Sequence, residues 1–105
     1  MIRRRVTLSA AALADIKSIS DWVSERGGPS TARRYVDRLF ASIDRMSAGA
    51  LRGTPRDDIR PGLRIVGFER NLTIAFRVTA DEVEVVRIFR RGRNWSSDLS
   101  ETPSS

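Results

Sequence analysis

The spacing of apolar residues changes period along the chain, and each change marks an element. Residues 3–8, RRRVTL, alternate, with Val6 and Leu8 set against Arg5 and Thr7, which predicts a short strand. From Ser9 the period lengthens to three and four: Leu13, Ile16, Ile19 and Val23 form one helical stripe. Ser9 is a good N-cap, because its hydroxyl accepts from an orphan backbone N–H, and Leu8 with Leu13 has the spacing of a hydrophobic staple. Gly27 suits a helix stop, and Pro29 suits the first turn of the next helix. The second stripe is the stronger one: Ala32, Tyr35, Val36, Leu39, Phe40, Ile43 and Met46 share a side, with Arg33, Arg34, Asp37, Arg38 and Arg45 opposite. One or both of Leu39 and Phe40 should therefore be buried. Trp22 lies off the first stripe, at the edge of the hairpin.

Gly49, Gly53 and Pro55 open a loop that runs to about residue 60. After Pro61-Gly62 the alternation returns three times, in LRIVGF (63–68), LTIAFRV (72–78) and EVEVVRIF (82–89). The turns between these runs are too short for anything but antiparallel neighbours, a meander. Gly27-Gly28 likewise folds the two helices into an antiparallel hairpin. A 17-residue helix and an eight-residue strand both span ~25 Å, so the hairpin can cover one face of the sheet. The expected architecture is α+β, β-α-α-β-β-β: an N-terminal strand and an antiparallel helical hairpin packed on an antiparallel sheet. Residues 1–95 should make a single domain, and the polar stretch 96–105 a disordered tail.

Composition mainly removes possibilities. The chain has 105 residues and neither cysteine nor histidine. Disulfide scaffolds, zinc sites with nitrogen or sulfur ligands, and thiol or Ser-His-Asp nucleophiles are excluded. No metal or other cofactor is expected. No apolar run nears the ~20 residues of a membrane span, and no signal-like stretch follows the basic N-terminus, so a cytoplasmic protein with no membrane partner is expected. Lysine and arginine total 19 against 13 acidic residues, a net charge of +6, and Lys17 is the sole lysine. Arginine presents a planar fork of donors to carboxylates and phosphates, so an acidic partner fits.

Candidate chemistry is sparse. Asp57 and Asp58 are adjacent in a loop and point apart, which suits pairing with an arginine better than acid–base work. Ser9, Ser20, Ser30 and Ser42 have nothing to activate them. The arginines form the conspicuous pattern. Arg87, Arg90, Arg91 and Arg93 crowd the last strand and its exit, followed by Trp95, while Arg64, Arg70 and Arg77 lie on or between the preceding strands. Converging on one edge of a meander, they would make an electropositive surface with an aromatic beside it.

The run LSAAALADIKSISDWVSERGGPSTARRYVDRLFASIDRM, then GTPRDDIRPGLR, then VEVVRIFRRGR resembles the ParE/RelE superfamily of bacterial type II toxins, and within it the ParE or plasmid-stabilisation branch. The pattern covers about residues 5–95. Its most specific parts are LSxxALxDIxxIxxW-V, from Leu8 to Val23, and the RPGLR turn at Arg60–Arg64. The resemblance implies a small basic toxin neutralised by an acidic, ParD-like antitoxin in a hetero-oligomer. It also implies the fold derived above. ParE members inhibit DNA gyrase, whereas RelE-type members cut mRNA on the ribosome with catalytic Arg, Lys, His or Tyr. Here Thr73 stands at the position resembling the catalytic third-strand arginine, and Arg91 and Gly92 stand at the C-terminal Tyr site. No lysine follows Lys17, and Tyr35 belongs to a helix core, so no base near neutrality is available.

The expected function is thus a gyrase-inhibiting toxin without catalytic residues. A ribosome-dependent ribonuclease and an antitoxin-binding relic without toxicity are the alternatives. Target binding is expected at Arg87, Arg90, Arg91, Arg93 and Trp95, and antitoxin binding at Arg64, Arg70, Arg77 and Trp22. Helix arginines such as Arg33 and Arg38 should be solvated.

Overall fold

The computed structural model describes residues 4–49 and 52–90. In order, the elements are β1 (Arg5–Leu8), α1 (Ala10–Gly27), α2 (Pro29–Asp44), a single 3-10 turn (Arg45–Ser47), β2 (Thr54–Pro55), β3 (Leu63–Phe68), β4 (Leu72–Val78) and β5 (Glu82–Arg90). Ser9 caps α1 as expected, its hydroxyl accepting from the Ala12 N–H at 3.0 Å. The stop falls one residue later than expected: Gly28, at φ 90°, donates its N–H to Ser24 and ends α1, and Pro29 opens α2 directly after it. A positive φ at that junction is what demands glycine there.

The five strands form one sheet in the order β1-β5-β4-β3-β2. β3, β4 and β5 are the antiparallel meander that alternation predicts. Two features go beyond it. β1 pairs in parallel with β5, from Arg5 opposite Glu82 to Leu8 opposite Val85, so the sheet is mixed. The expected loop also contains β2, two residues that pair with Arg64 and Ile65. Gly53 makes this approach possible: a Cβ there would sit 2.2 Å from the Ile65 carbonyl oxygen. Between β4 and β5 the register slips, Ala75 facing Arg87 and Phe76 facing Val85, so Val86 is the extra residue of a bulge.

The two helices cover one face of the sheet. Ile16, Ile19, Leu39, Ile43 and Met46 pack with Leu72, Ile74, Phe76, Val83, Val85 and Ile88 in the main core. The alternate positions Leu63, Ala75 and Phe89 form a smaller cluster with Ile59 from the preceding loop. Leu39 is fully buried, as expected, but its neighbour Phe40 is 41% exposed and Leu13 is 52% exposed. The inward stripe of α1 begins at Ala12 (0%) rather than Leu13, followed by Ile16 and Ile19. A small residue lets the helix approach the sheet closely, and a search weighted to large side chains passes over it. Leu8 packs on the core, while Leu13, its expected staple partner, is largely exposed. Phe40 sits at the margin of the α2 stripe, one helical step outside the line Tyr35, Leu39, Ile43.

Candidate functional site

The end of β5 is built from α1. β1 stops opposite Val85, so beyond that point no strand among the described residues flanks β5 on that side. Side chains of α1 and its cap take over the pairing. The Ser9 N–H donates to the Val85 carbonyl at 3.0 Å, the Ser9 hydroxyl donates to the Val86 carbonyl at 2.7 Å, and the Ile88 N–H donates to the Asp15 carboxylate at 2.9 Å. The same carboxylate accepts Arg87 Nε at 2.8 Å and Nη2 at 3.1 Å, a bidentate pair with side chains only 15% and 25% exposed. The Arg87 guanidinium also lies 4.8 Å from the Phe89 ring centroid. Arg87, expected among the target-binding cations, is therefore committed inside the molecule, bracing β5 to the first helix. Asp15→Ala removes the acceptor of the bidentate Arg87 pair and of the Ile88 N–H. It should cost about 2–3 kcal/mol in chemical denaturation, whereas loss of an exposed ion pair costs under about 1 kcal/mol.

Arg90 is exposed, and its guanidinium lies 4.9 Å from the Trp22 ring centroid, with Arg26 at 4.7 Å from the same ring. The half-buried indole thus carries two cations. It lines a groove of about 310 Å³ between α1 and the end of β5, together with Asp21, Glu25 and Ile88. Trp22, expected with the antitoxin-binding set, stands beside Arg90 of the other set.

Of the remaining antitoxin-binding candidates, Arg64 and Arg77 share one end of the sheet and Arg70 lies at the other. Arg64 donates from Nε to the Arg52 carbonyl at 2.9 Å and from Nη2 to the Gly53 carbonyl at 3.4 Å, tying β3 to the loop before β2. Arg77, paired across the ladder with Leu63, lies at the same end of the sheet and meets Glu84 at 3.4 Å. Arg70 lies at the opposite end, in the turn between β3 and β4, and the pairing of Leu72 with Arg90 sets that turn beside the end of β5. Both turn residues are left-handed, Glu69 at φ 48° and Arg70 at φ 64°, and the Asn71 N–H closes on the Phe68 carbonyl at 3.1 Å. Such a conformation costs a non-glycine residue roughly 1–2 kcal/mol.

Arg38 of α2 holds this turn. Its Nε and Nη2 donate to the two Glu69 oxygens at 2.7 and 3.0 Å, and this side-chain bond holds the Glu69 carboxyl below its ordinary range. The pair consequently persists until the pH falls below that range. Arg38 is exposed, as expected, and its guanidinium nevertheless pairs with Glu69 of the turn. Arg91, Arg93, Trp95 and the tail 96–105 lie outside the described residues.

Asp58 takes a bidentate pair from Arg56 at 2.9 Å for both bonds, and Asp57 accepts from the Gly62 N–H at 2.8 Å, so these two carboxylates are loop ties, as expected. Tyr35 is in the core, edge-on to Phe68 at 5.6 Å between centroids, and burial pushes its phenol above the ordinary value. Among the described residues no cluster of acidic side chains could hold a metal ion, and no helix is long and apolar enough to cross a membrane. Sequence reasoning missed Asp15, whose role depends on where β1 ends, and the Glu69–Arg38 clamp, which joins residues 31 apart.

Comparison with known proteins adds a consistent set of relatives. The family model described as the ParE toxin of type II toxin-antitoxin system, parDE, matches residues 6–95. The chain is 35% identical over 88 residues to Toxin ParE1 of Mycobacterium tuberculosis, covering 83% of this chain and 89% of that protein. It is 26% identical over 95 residues to Toxin ParE3 of Caulobacter vibrioides, covering 90% of this chain and 94% of the relative. Among solved structures it is similar to one titled "Chromosomal ParDE TA system from P. aeruginosa", with a TM-score of 0.73, 27% identity, and coverage of 84% of this chain and 96% of that one.

Proposed function

Because the chain belongs to the ParE toxin family, as the match over residues 6–95 shows, we propose that it arrests growth by inhibiting DNA gyrase, with no catalysis of its own. It is the toxin component of a ParDE type II toxin–antitoxin system, and such a system supplies an antitoxin as its partner. The observation that carries the gyrase reading is this near-complete family match. The residues available for chemistry agree with it: the chain has no histidine, no lysine beyond Lys17, and a single tyrosine that is buried with its pKa raised. Arginine alone stabilises charge but is a poor base.

Target contact belongs, in this reading, to the end of β5 and the segment that follows it: Arg90, Arg91, Arg93 and Trp95, with Arg87 as a brace rather than a contact. Arg64 and Arg77, at the far end of the sheet, serve the antitoxin, whose carboxylates would face them in a cytoplasmic hetero-oligomer. Association should accordingly slow as salt rises, which stopped-flow mixing at two ionic strengths measures; a salt-independent rate would contradict an electrostatic partner. Induction of the gene without its antitoxin tests the function itself. We expect a DNA-damage response with intact mRNA. Transcripts cut on the ribosome without DNA damage would replace gyrase inhibition with ribonuclease action.

A further inference from the structure

One stripe of α2 carries charges that find no partner within the molecule. Arg33, Asp37, Phe40 and Asp44 follow at steps of four, three and four, so they share a side of the helix, and all four are exposed. Arg33, Asp37 and Asp44 form no side-chain hydrogen bond or ion pair among the described residues. Arg38, on the neighbouring stripe, is by contrast engaged by Glu69. Among these charges stands Phe40, which with Leu13 makes up the exposed large apolar side chains among the described residues. Leu13 lies near the start of α1 and Phe40 near the end of α2, so the antiparallel hairpin sets them toward the same end. An apolar centre within a charged rim is the anatomy of an association surface.

The order of the charges selects the partner. Arg33 lies at one end of the stripe and Asp44 at the other, about 16 Å away along the axis. Turned end for end by a two-fold axis, a second copy sets its Asp44 against Arg33 and its Arg33 against Asp44, with the two Phe40 side chains together near the axis. Asp37, one helical turn beyond Arg33, can share that guanidinium. Self-association works against the net charge of +6, and this stripe, with two acids to one base, relieves that repulsion locally. We propose that the outer face of the helical hairpin is a self-association surface, on which two copies of the chain pack α2 against α2, antiparallel about Phe40. Two helices about 24 Å long and about 10 Å apart offer roughly 500 Å² a copy, or roughly 1,000 Å² in all, the low end for specific association. The dimer is therefore weak, with a dissociation constant of about 10–100 µM. The stripe holds no residue of the proposed target surface, so the proposal stands whichever target the toxin inhibits.

Sedimentation of the full-length toxin from about 1 to about 500 µM tests it, and the fraction of dimer should rise across that range. Phe40→Glu sets two carboxylates at the axis and should raise the dissociation constant about tenfold or more. Arg33→Asp and Asp44→Arg each set like charges opposite and should each do the same. Both charge changes suit the helix dipole, an acid nearer the start of α2 and a base at its end, so α2 should stay folded in each. The double reversal, Arg33→Asp with Asp44→Arg, should restore the constant to within about threefold of wild type. An equimolar mixture of the two single variants should likewise associate. A toxin that stays monomeric throughout, a dimer that Phe40→Glu leaves intact, or a double reversal no better than either single change overturns the proposal. If the toxin alone is monomeric and Phe40→Glu weakens antitoxin binding instead, the antitoxin covers this face and the second copy is ruled out.

Discussion

Leu39→Ala should lower the unfolding free energy by about 2–5 kcal/mol, read from the urea midpoint at constant slope. The side chain is fully buried among Ile16, Ile43 and the strands beneath, so its removal forfeits transfer energy and leaves a cavity. Domains of this size have only about 5–15 kcal/mol to lose, so the variant should sit near the edge of folding. Phe40→Ala, one residue further along the same helix, should cost about 1 kcal/mol or less, because 41% of that residue already faces water. The contrast matters more than either value. Equal losses would mean that α2 is rotated on the sheet.

Legibility in the sequence followed the range of the interaction. The helix caps, the hairpin and the β3-β4-β5 meander are local in origin, and period, Gly27-Gly28 with Pro29 and short turns point to them, although the stop itself falls at Gly28 rather than Gly27. The place of β1 is not local. Its alternation identifies a strand, but parallel pairing with β5 joins residues 77 apart, and nothing in the pattern selects that edge. β2 is too short to have a period and exists because Gly53 admits the Ile65 carbonyl. The α1 stripe misled for a different reason: Ala12 carries the close contact while the larger Leu13 points outward.

The candidate site divided along the same line. That arginines crowd the end of β5 is plain from composition, but their separate roles are not. Arg87 looks like Arg90 in the sequence and differs only because Asp15 lies within 2.8 Å of it. Arg70 looks like Arg64 and Arg77, yet a hairpin sends it to the opposite end of the sheet. Arg38 lies on the polar side of its helix, as expected, and is engaged by a turn that the helix pattern does not register.

Arg90→Ala with Arg91→Ala should abolish toxicity while leaving the fold and antitoxin binding largely intact. Arg90 is exposed and touches the molecule through the Trp22 ring, so its loss opens no cavity. Arginine and tryptophan are the side chains that most often dominate interface energies, and two truncated at one hot spot remove several kcal/mol of binding. Shortening the chain after Arg87 is a poorer test, because Ile88 and Phe89 are 2% and 1% exposed and belong to the two apolar clusters. The matched control is Arg33→Ala with Arg34→Ala, two exposed residues on the polar side of α2, which should leave toxicity within about twofold. Arg38 is unsuitable for that purpose, since its removal releases Glu69. A lethal C-terminal pair together with a silent helix pair would move the working surface to the helices.

Cleaved DNA trapped on purified gyrase is the most direct measurement. With the wild-type toxin, cleaved complexes should accumulate with dose and disappear when the antitoxin is added first, and the Arg90/Arg91 variant should leave them at background. No cleaved DNA at toxin concentrations that arrest growth, or the same yield from the variant as from the wild type, would contradict gyrase inhibition through the end of β5.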